Sequence, residues 1–381
     1  MAWHVESRTK SQKGSADRRE SEMYVTESGQ KVFVVDGHIH LWDARPENRR
    51  NRYGLTFIES FWGSHVGMTP DEQRWNFDRF CYYGIEGAAK DLFVDGYVDA
   101  AIMLPTNLRD FYVEGFNTIE QCSAFKNAYP EKVVLNGRFD PRDGQKGLDA
   151  LEADFEKYRL KGVKLYTAEW NGESKGYTLR DDIVAPYMEK CLKLGIKNVH
   201  IHKGPTIHPL NLDAFDVRDV DYVATAFPDL NFIVDHCGMP RIDDFCWIAG
   251  QEPNVYGGLA LIPSFIHARP KYFAQMMADL LFFLGPDRLL FGSDYGITSP
   301  KWIVEKFMAY EFPDDMAQEA KTQLTLDVKR KVLGLNAARL YDLDVPLECR
   351  LPSMAASHHE DGEVLLGQSD VQPGGAIRAS A

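Results

Sequence analysis

The sequence predicts an α/β fold of the (β/α)₈ TIM-like barrel type, and three observations carry that expectation. β-Branched apolar runs recur along the chain, amphipathic stretches separate them, and chemically versatile side chains fall at the ends of the runs. The runs cover 32–42, 98–105, 132–141, 161–168, 198–204, 231–238, 254–263 and 288–296. Continuous Val/Ile/Leu content marks strands covered on both faces, as parallel strands are. Intervening segments such as 148–160 and 182–195 carry helical spacing and end near Gly or Pro. Alternating β and α elements imply a parallel sheet, and eight such strands imply closure into a barrel. Residues 43–97 read as a long insertion after the first strand, part helical over 69–92, that roofs the active site.

Bulk composition narrows the possibilities. A chain of 381 residues with 44% hydrophobic content supports one large domain with a substantial core. The formal net charge is -13 with no dense basic stripe, which argues against nucleic acid and anionic membrane as partners. The cysteines (Cys81, Cys122, Cys191, Cys237, Cys246, Cys349) form no CxxC pair, so no disulfide scaffold is expected. The first residues carry charges throughout and lack the apolar core of a signal peptide, and no apolar run approaches the ~18 residues needed to span a bilayer. The expectation is a reduced, cytoplasmic protein. Residues 1–30 read as a flexible arm, 31–351 as the barrel and 352–381 as a flexible tail, in which His358 and His359 are an exposed pair.

The candidate chemistry lies at strand ends, where barrel enzymes place their reactive groups. The first run ends His38-Ile39-His40, and a two-residue period puts both imidazoles on one side of the strand. The fifth run repeats this with His200-Ile201-His202, the sixth ends Asp235-His236-Cys237-Gly238, and the eighth ends Ser293-Asp294-Tyr295. Imidazole and carboxylate donors suit Zn²⁺, Mn²⁺, Fe²⁺ or Co²⁺. Lys164 on the fourth run is costly inside a barrel unless paired or used.

The motifs Asp36-Gly37-His38-Ile39-His40, Gly162-Val163-Lys164-Leu165, His202-Lys203-Gly204, His236-Cys237-Gly238 and Phe291-Gly292-Ser293-Asp294 together resemble the amidohydrolase superfamily. The resemblance covers about 32–341, includes Asn336-Ala337-Ala338-Arg339-Leu340-Tyr341 as a closing helix, and lies in the branch of aminocarboxymuconate-semialdehyde decarboxylase. It implies His38, His40 and His202 as metal ligands and His236 as an acid–base, substrate-binding or metal-binding residue. Asp294 becomes both ligand and proton carrier. His200, an extra candidate metal ligand beside His202, Tyr166, a candidate substrate contact two residues past Lys164, and Glu59 in the first loop depart from the pattern. If Glu59, or a carboxylated Lys164, bridges, the site holds two ions, as in the 2-aminoisobutyrate hydroxylase subunits that this long first loop also resembles.

The leading expectation is therefore a metal-dependent hydrolase or nonoxidative decarboxylase of a small carboxylated substrate, using one or two divalent ions. Arg109, just beyond the second run, is the candidate carboxylate clamp, because its fork matches a carboxylate bidentately; a surface salt bridge is the alternative. The rivals are an O₂-activating hydroxylase with a paired Fe or Mn centre and a structural barrel subunit of a larger enzyme. A homo- or hetero-oligomer is expected.

Overall fold

The computed structural model describes residues 23–352. The chain divides into one unit up to Cys349 and a second from Arg350, of which only 350–352 are described. Within the first unit the strands are β1 (Val35–Ile39), β2 (Ala100–Met103), β3 (Val133–Leu135, continued by Gly137–Arg138), β4 (Gly162–Leu165), β5 (Asn198–His202), β6 (Asn231–Asp235), β7 (Val255–Gly258) and β8 (Leu289–Leu290). Each lies inside one of the eight apolar runs. Neighbours pair in parallel from β1 to β2 to the first half of β3, and from the second half of β3 through β4, β5, β6 and β7 to β8. At the break in β3, the Asn136 amide still donates to Met103 O at 3.2 Å, so the ring continues.

The barrel closes where β8 returns to β1. Gly37 N donates to Phe291 O and His40 N to Tyr295 O, both at 2.9 Å. A Cβ on Gly37 would lie 2.7 Å from Phe291 O, so the two strands meet this closely only because residue 37 has no side chain. The Asp36 carboxylate rivets the same seam, accepting from the amides of His38 at 3.3 Å and Ser293 at 2.9 Å.

Helices cover the outside. The segment expected at 148–160 is helix Gly144–Tyr158, and that at 182–195 is Ala185–Leu194, stopped by Gly195 at φ 75°. The N-terminal end of the barrel is capped by helix Asn336–Tyr341. There Asn336 donates to Leu289 O, and Leu340 O accepts from the Asn198 side chain. The last part of the expected N-terminal arm is structured, since Tyr24–Val25 pairs antiparallel with Lys31–Val32. His358 and His359 lie outside the described residues. No described helix is long and apolar enough to cross a membrane.

The stretch between β1 and β2 is more helical than expected. Besides short helices at Phe77–Cys81 and Ile85–Ala89, it contains helix Arg52–Met68. Asn51 caps that helix by accepting from Tyr53 N at 2.9 Å. Its buried residues Gly54, Phe57, Ile58, Phe61 and His65 follow helical spacing. Phe57 and Phe61 pack on Phe116, which stacks on Trp42 just beyond β1. His65 Nδ1 donates to Ile297 O at 2.6 Å while its Nε2 accepts from Trp75 N at 2.7 Å, which ties the helix to the loop after β8.

The closeness of the seam has a measurable consequence. Gly37→Ala should destabilise the fold by about 1–3 kcal/mol, the usual range for overpacking, read as a lower urea midpoint. An unchanged midpoint would show that the seam yields without cost.

Candidate metal centre

Four imidazoles and one carboxylate meet at the C-terminal end of the barrel, and their backbone partners decide which nitrogens point inward. His40 Nδ1 lies 2.9 Å from Leu104 O, and a carbonyl only accepts, so Nδ1 carries the proton and Nε2 is bare. Asn117 Nδ2 donates to the same carbonyl and steadies it. His38 Nδ1 lies 3.2 Å from Asp235 Oδ1, within ion-pair reach but off the line of a full hydrogen bond, and this again leaves Nε2 bare. The two Nε2 atoms are 3.0 Å apart, and each is 3.6 Å from Asp294 Oδ1.

Two bare nitrogen lone pairs and a carboxylate oxygen at these separations repel one another unless a cation lies among them. Donors bound at about 2.0–2.2 Å to one Zn²⁺-like ion lie roughly 3–3.5 Å apart, so His38, His40 and Asp294 fit such an ion. The two histidines of β1 converge because its register with β2 shifts between Asp36 and Ile39.

His236 and His202 complete the cluster. His236 Nδ1 donates to Ala260 O at 3.0 Å, so its Nε2 accepts from His202 Nδ1 at 3.2 Å. His202 Nε2 is then bare, buried and without a partner on the wall of the central cavity. His38, His236 and Asp294 also form a compact donor group. In that group His236 Nδ1, 3.9 Å from Asp294 Oδ2, is already used by Ala260, so His236 sits beside the ion site as a proton-bearing neighbour. Gly204 and Gly292 make room for these rings, since a Cβ on either would lie under 3 Å from His236 or His38 respectively.

Burial dominates the protonation of the cluster. It pushes His38 and His202 well below the ordinary imidazole range, His40 to about 3 and His236 to about 4. Burial raises Asp294 to about 8, with Asp235 and Asp36 adding to the rise against the pull of Lys164. Asp36 rises to about 7 for the same leading reason, opposed by its bonds to Ser293 and His38. Asp235 is the exception. Burial pushes it up, but Lys164, His38 and His200 outweigh that and hold it well below the carboxylate range.

Several expected ligands are placed elsewhere. Glu59 is on the exposed face of helix Arg52–Met68, about 200° around from Phe57 at 100° per residue, and cannot bridge ions. Lys164 is fully buried and ion-paired with Asp235 Oδ2. Both His200 nitrogens are engaged, Nδ1 with Asp235 Oδ1 at 2.9 Å and Nε2 with Tyr341 Oη at 2.9 Å. His38, His200 and Asp235 form a second compact donor group, but the Lys164 ammonium already faces that carboxylate. Lys164 and His200 are thus committed to other partners and Glu59 is exposed, so the structure gives the paired-metal hydroxylase reading no support. Arg109 is no clamp either. It pairs with Asp140 at 2.6 Å and Asp143 at 2.9 Å and lies 3.5 Å from Glu169. Lys203, in the His202-Lys203-Gly204 motif, is buried against Asp219 at 2.8 Å and anchors the loop after β5.

A pocket opens above the cluster. Phe57, Phe61, Phe116, Ile207, Leu261 and Ile297 form apolar walls, while Tyr166, Ser64 and Thr106 add polar points. Tyr166 packs 4.6 Å from the His202 ring, and Thr106 Oγ1 is buried with no partner. Among the described residues, no lysine or arginine lines this cavity. Thr106, Ser64 and the roof aromatics were not singled out from sequence. The position of Thr106 just past β2 was the available signal for it.

The amidohydrolase family model matches residues 35–343, and the chain belongs to that family. No curated protein matches the sequence. Among solved structures, an uncharacterized TIM-barrel protein from Bordetella bronchiseptica is 19% identical with a TM-score of 0.59, over 82% of this chain and 99% of that one. A probable 2-pyrone-4,6-dicarboxylic acid hydrolase from Acinetobacter baumannii, with citric acid bound, is 12% identical with a TM-score of 0.51, over 81% and 99%. A 2,6-dihydroxybenzoate decarboxylase in complex with 2,6-dihydroxybenzoate is 15% identical with a TM-score of 0.52, over 82% and 100%. At these identities the likeness is one of fold.

Two predictions follow from the donor geometry. His38→Ala and His40→Ala should each strip most Zn²⁺ from the purified protein, measured as bound metal per chain; full occupancy in the double variant would remove both from the site. The second concerns pH. The imidazoles are already neutral near pH 7, whereas Asp294, at about 8 before an ion binds, must lose its proton to ligate. Metal binding at pH 7 should therefore release about one proton per ion. Apparent affinity should rise about tenfold per pH unit from 6 toward 8 and then level off. A flat profile over that range would exclude Asp294 as a ligand.

Proposed function

We propose that this chain is a metal-dependent enzyme that removes CO₂ without oxidation from a small carboxylated ring compound. One observation carries the reading. The converging donors of His38, His40 and Asp294 form the floor of an aromatic-walled cavity that no lysine or arginine among the described residues lines. A divalent ion bound there supplies a Lewis-acid grip on one substrate carboxylate. A second carboxylate would find no cationic side chain, so the cavity favours a monocarboxylate over a dicarboxylate. Membership of a family of metal-dependent enzymes, and similarity in fold to a hydrolase and to a decarboxylase, support the same class.

The chain's own groups divide the remaining work. Phe57, Phe61 and Phe116 hold the apolar body of the substrate and keep water out. Thr106 and Tyr166 offer polar contacts to ring substituents. In decarboxylation the bond to the carboxyl carbon breaks, its electron pair stays on the ring carbon, and that carbon takes up one proton as CO₂ leaves. Asp294, which would hold the ion through Oδ1, is the group placed to pass that proton on its second oxygen, Oδ2, nearly out of reach of solvent. His236, with Nδ1 donating to Ala260 O and 3.9 Å from Asp294 Oδ2, lines the pocket beside that carboxyl as a contact for substrate. In hydrolysis Asp294 would instead accept a proton from water, and the assay below separates the two reactions.

Asp294→Asn should keep the fold and lower turnover at least about 100-fold, because Asn has the shape but not the exchangeable proton. The assay supplies aromatic monocarboxylates to Zn²⁺- or Mn²⁺-loaded protein and measures CO₂ release and proton incorporation from D₂O. Release of CO₂ with deuterium at the vacated carbon supports decarboxylation. Turnover of esters or lactones without CO₂ would replace that reading with hydrolysis, and near-native turnover by Asp294→Asn would remove Asp294 from the chemistry.

A further inference from the structure

The barrel interior holds a second polar layer that the proposed chemistry does not use. It runs from the closing helix to the metal centre. Asn136 Nδ2 donates to Tyr341 Oη at 2.8 Å, which leaves the Tyr341 hydroxyl proton free for His200 Nε2 at 2.9 Å. His200 Nδ1 must then carry a proton, which it donates to Asp235 Oδ1 at 2.9 Å. Lys164 Nζ donates to the other oxygen, Oδ2. Oδ1 also lies 3.2 Å from His38 Nδ1. Asn136, Lys164, His200, Asp235 and His38 are all at most 3% exposed, so no bulk water can substitute for a missing partner.

Apart from Asn136 Oδ1, the hydrogen bonds along this chain have one consistent direction. They end by placing an anionic oxygen 3.2 Å from His38 Nδ1, which favours the proton on that nitrogen and leaves the Nε2 lone pair toward His40 and Asp294. We infer that Asp235 is a positioning residue of the metal centre. Its carboxylate, held ionised by Lys164 and aimed by the Tyr341–His200 pair, sets the tautomer and the ring orientation of His38. His200, expected from sequence to be a ligand, serves one layer deeper as a spacer between the closing helix and that carboxylate. The two rivals are weaker. Ligation by His200 would require breaking its bond to Asp235 or to Tyr341, and a purely structural Lys164–Asp235 pair would have no reason to hold an oxygen against His38 Nδ1.

The inference rests on the reading of His38, His40 and Asp294 as the ion site, but it can be tested separately from that reading. Asp235→Asn alone leaves the Lys164 ammonium buried without a partner and can fail to fold. The test therefore uses the double variant Lys164→Met/Asp235→Leu, in which no charge is buried and no acceptor faces His38 Nδ1, and separately Tyr341→Phe. Two quantities are read in each. One is Zn²⁺ affinity of the metal-free protein, by competition with a chromogenic chelator. The other is the ¹⁵N shift pattern of the His38 ring, assigned by its loss in His38→Asn, which reports the protonated nitrogen without any metal.

The expected result is a native-like melting curve with Zn²⁺ affinity about 10- to 100-fold weaker in the double variant, as for other outer partners of metal-bound histidines. His38 should be an Nδ1–H tautomer in the native protein and a mixture in the double variant, with Tyr341→Phe shifting both readouts in the same direction. Unchanged affinity and tautomer in folded variants would overturn the inference, as would an Nε2–H tautomer in the native protein. If native protein bound no Zn²⁺ yet showed the Nδ1–H tautomer and lost it in the double variant, the ion site would fail while the positioning role of Asp235 stood.

Discussion

Burial acts on every ionisable group at the top of this barrel and pushes acids and bases in opposite directions. Removing water disfavours whichever form is charged, so the imidazoles of His38, His40, His202 and His236 lose their protons while Asp36 and Asp294 keep theirs. A cluster that would carry mixed charges in water becomes a set of neutral nitrogen donors around a neutral acid. Asp235 remains anionic because the buried Lys164 ammonium balances it. That one ion pair lets the interior hold a fixed negative charge next to His38, and the orientation of the inward-facing nitrogens depends on it.

The backbone at the site is held in unfavourable conformations. His236 has φ 64°, Cys237 49° and Asp294 56°, all in the left-handed region that costs non-glycine residues roughly 1–3 kcal/mol each. A strand end in ordinary extended conformation would send its next side chain to the opposite face; the left-handed turn instead aims His236 and Asp294 over the barrel mouth. The surrounding contacts sustain the strain. Ala260 O fixes the His236 ring, the Asp294 carbonyl accepts from the amide of Ile297 at 2.7 Å, and Gly204 leaves the clearance that the His236 ring needs.

How much of this was legible depends on whether the controlling contact is local. The eight strands were readable because a strand covered on both faces must be apolar at consecutive positions, and all eight lie within those runs. The His38-Ile39-His40 pattern was readable because side-chain alternation is local. The same rule misassigned His200. In the regular register of β5 against β4 and β6, residues two apart are separated by roughly 7 Å along the strand, which drops His200 to the layer of Lys164. Only the register shift in β1 lets His38 and His40 meet, and no residue pattern announces it. Arg109 follows the salt-bridge alternative rather than the clamp, because Asp140, Asp143 and Glu169 arrive from later strand ends. Helix Arg52–Met68 was missed because three glycines and several aromatics give it weak intrinsic propensity. Its helicity comes from the cap at Asn51 and from packing against the residues beyond β1 and β2.

That helix also decides what kind of substrate the centre can serve. On the proposed function, an ion held by His38, His40 and Asp294 would grip a carboxylate of any kind, so discrimination falls to the walls, and the roof supplies Phe57, Phe61 and Ser64. Cationic side chains near the mouth do not alter this. Arg109 and Arg142 are already bonded to Asp140, and Arg138 to Glu169, so a substrate anion would have to displace a buried or partly buried carboxylate to reach them. The network therefore withholds its positive charge from the cavity. What remains is one anionic subsite at the metal donors beneath an aromatic chamber, an arrangement that favours a substrate with a single carboxylate on an apolar ring.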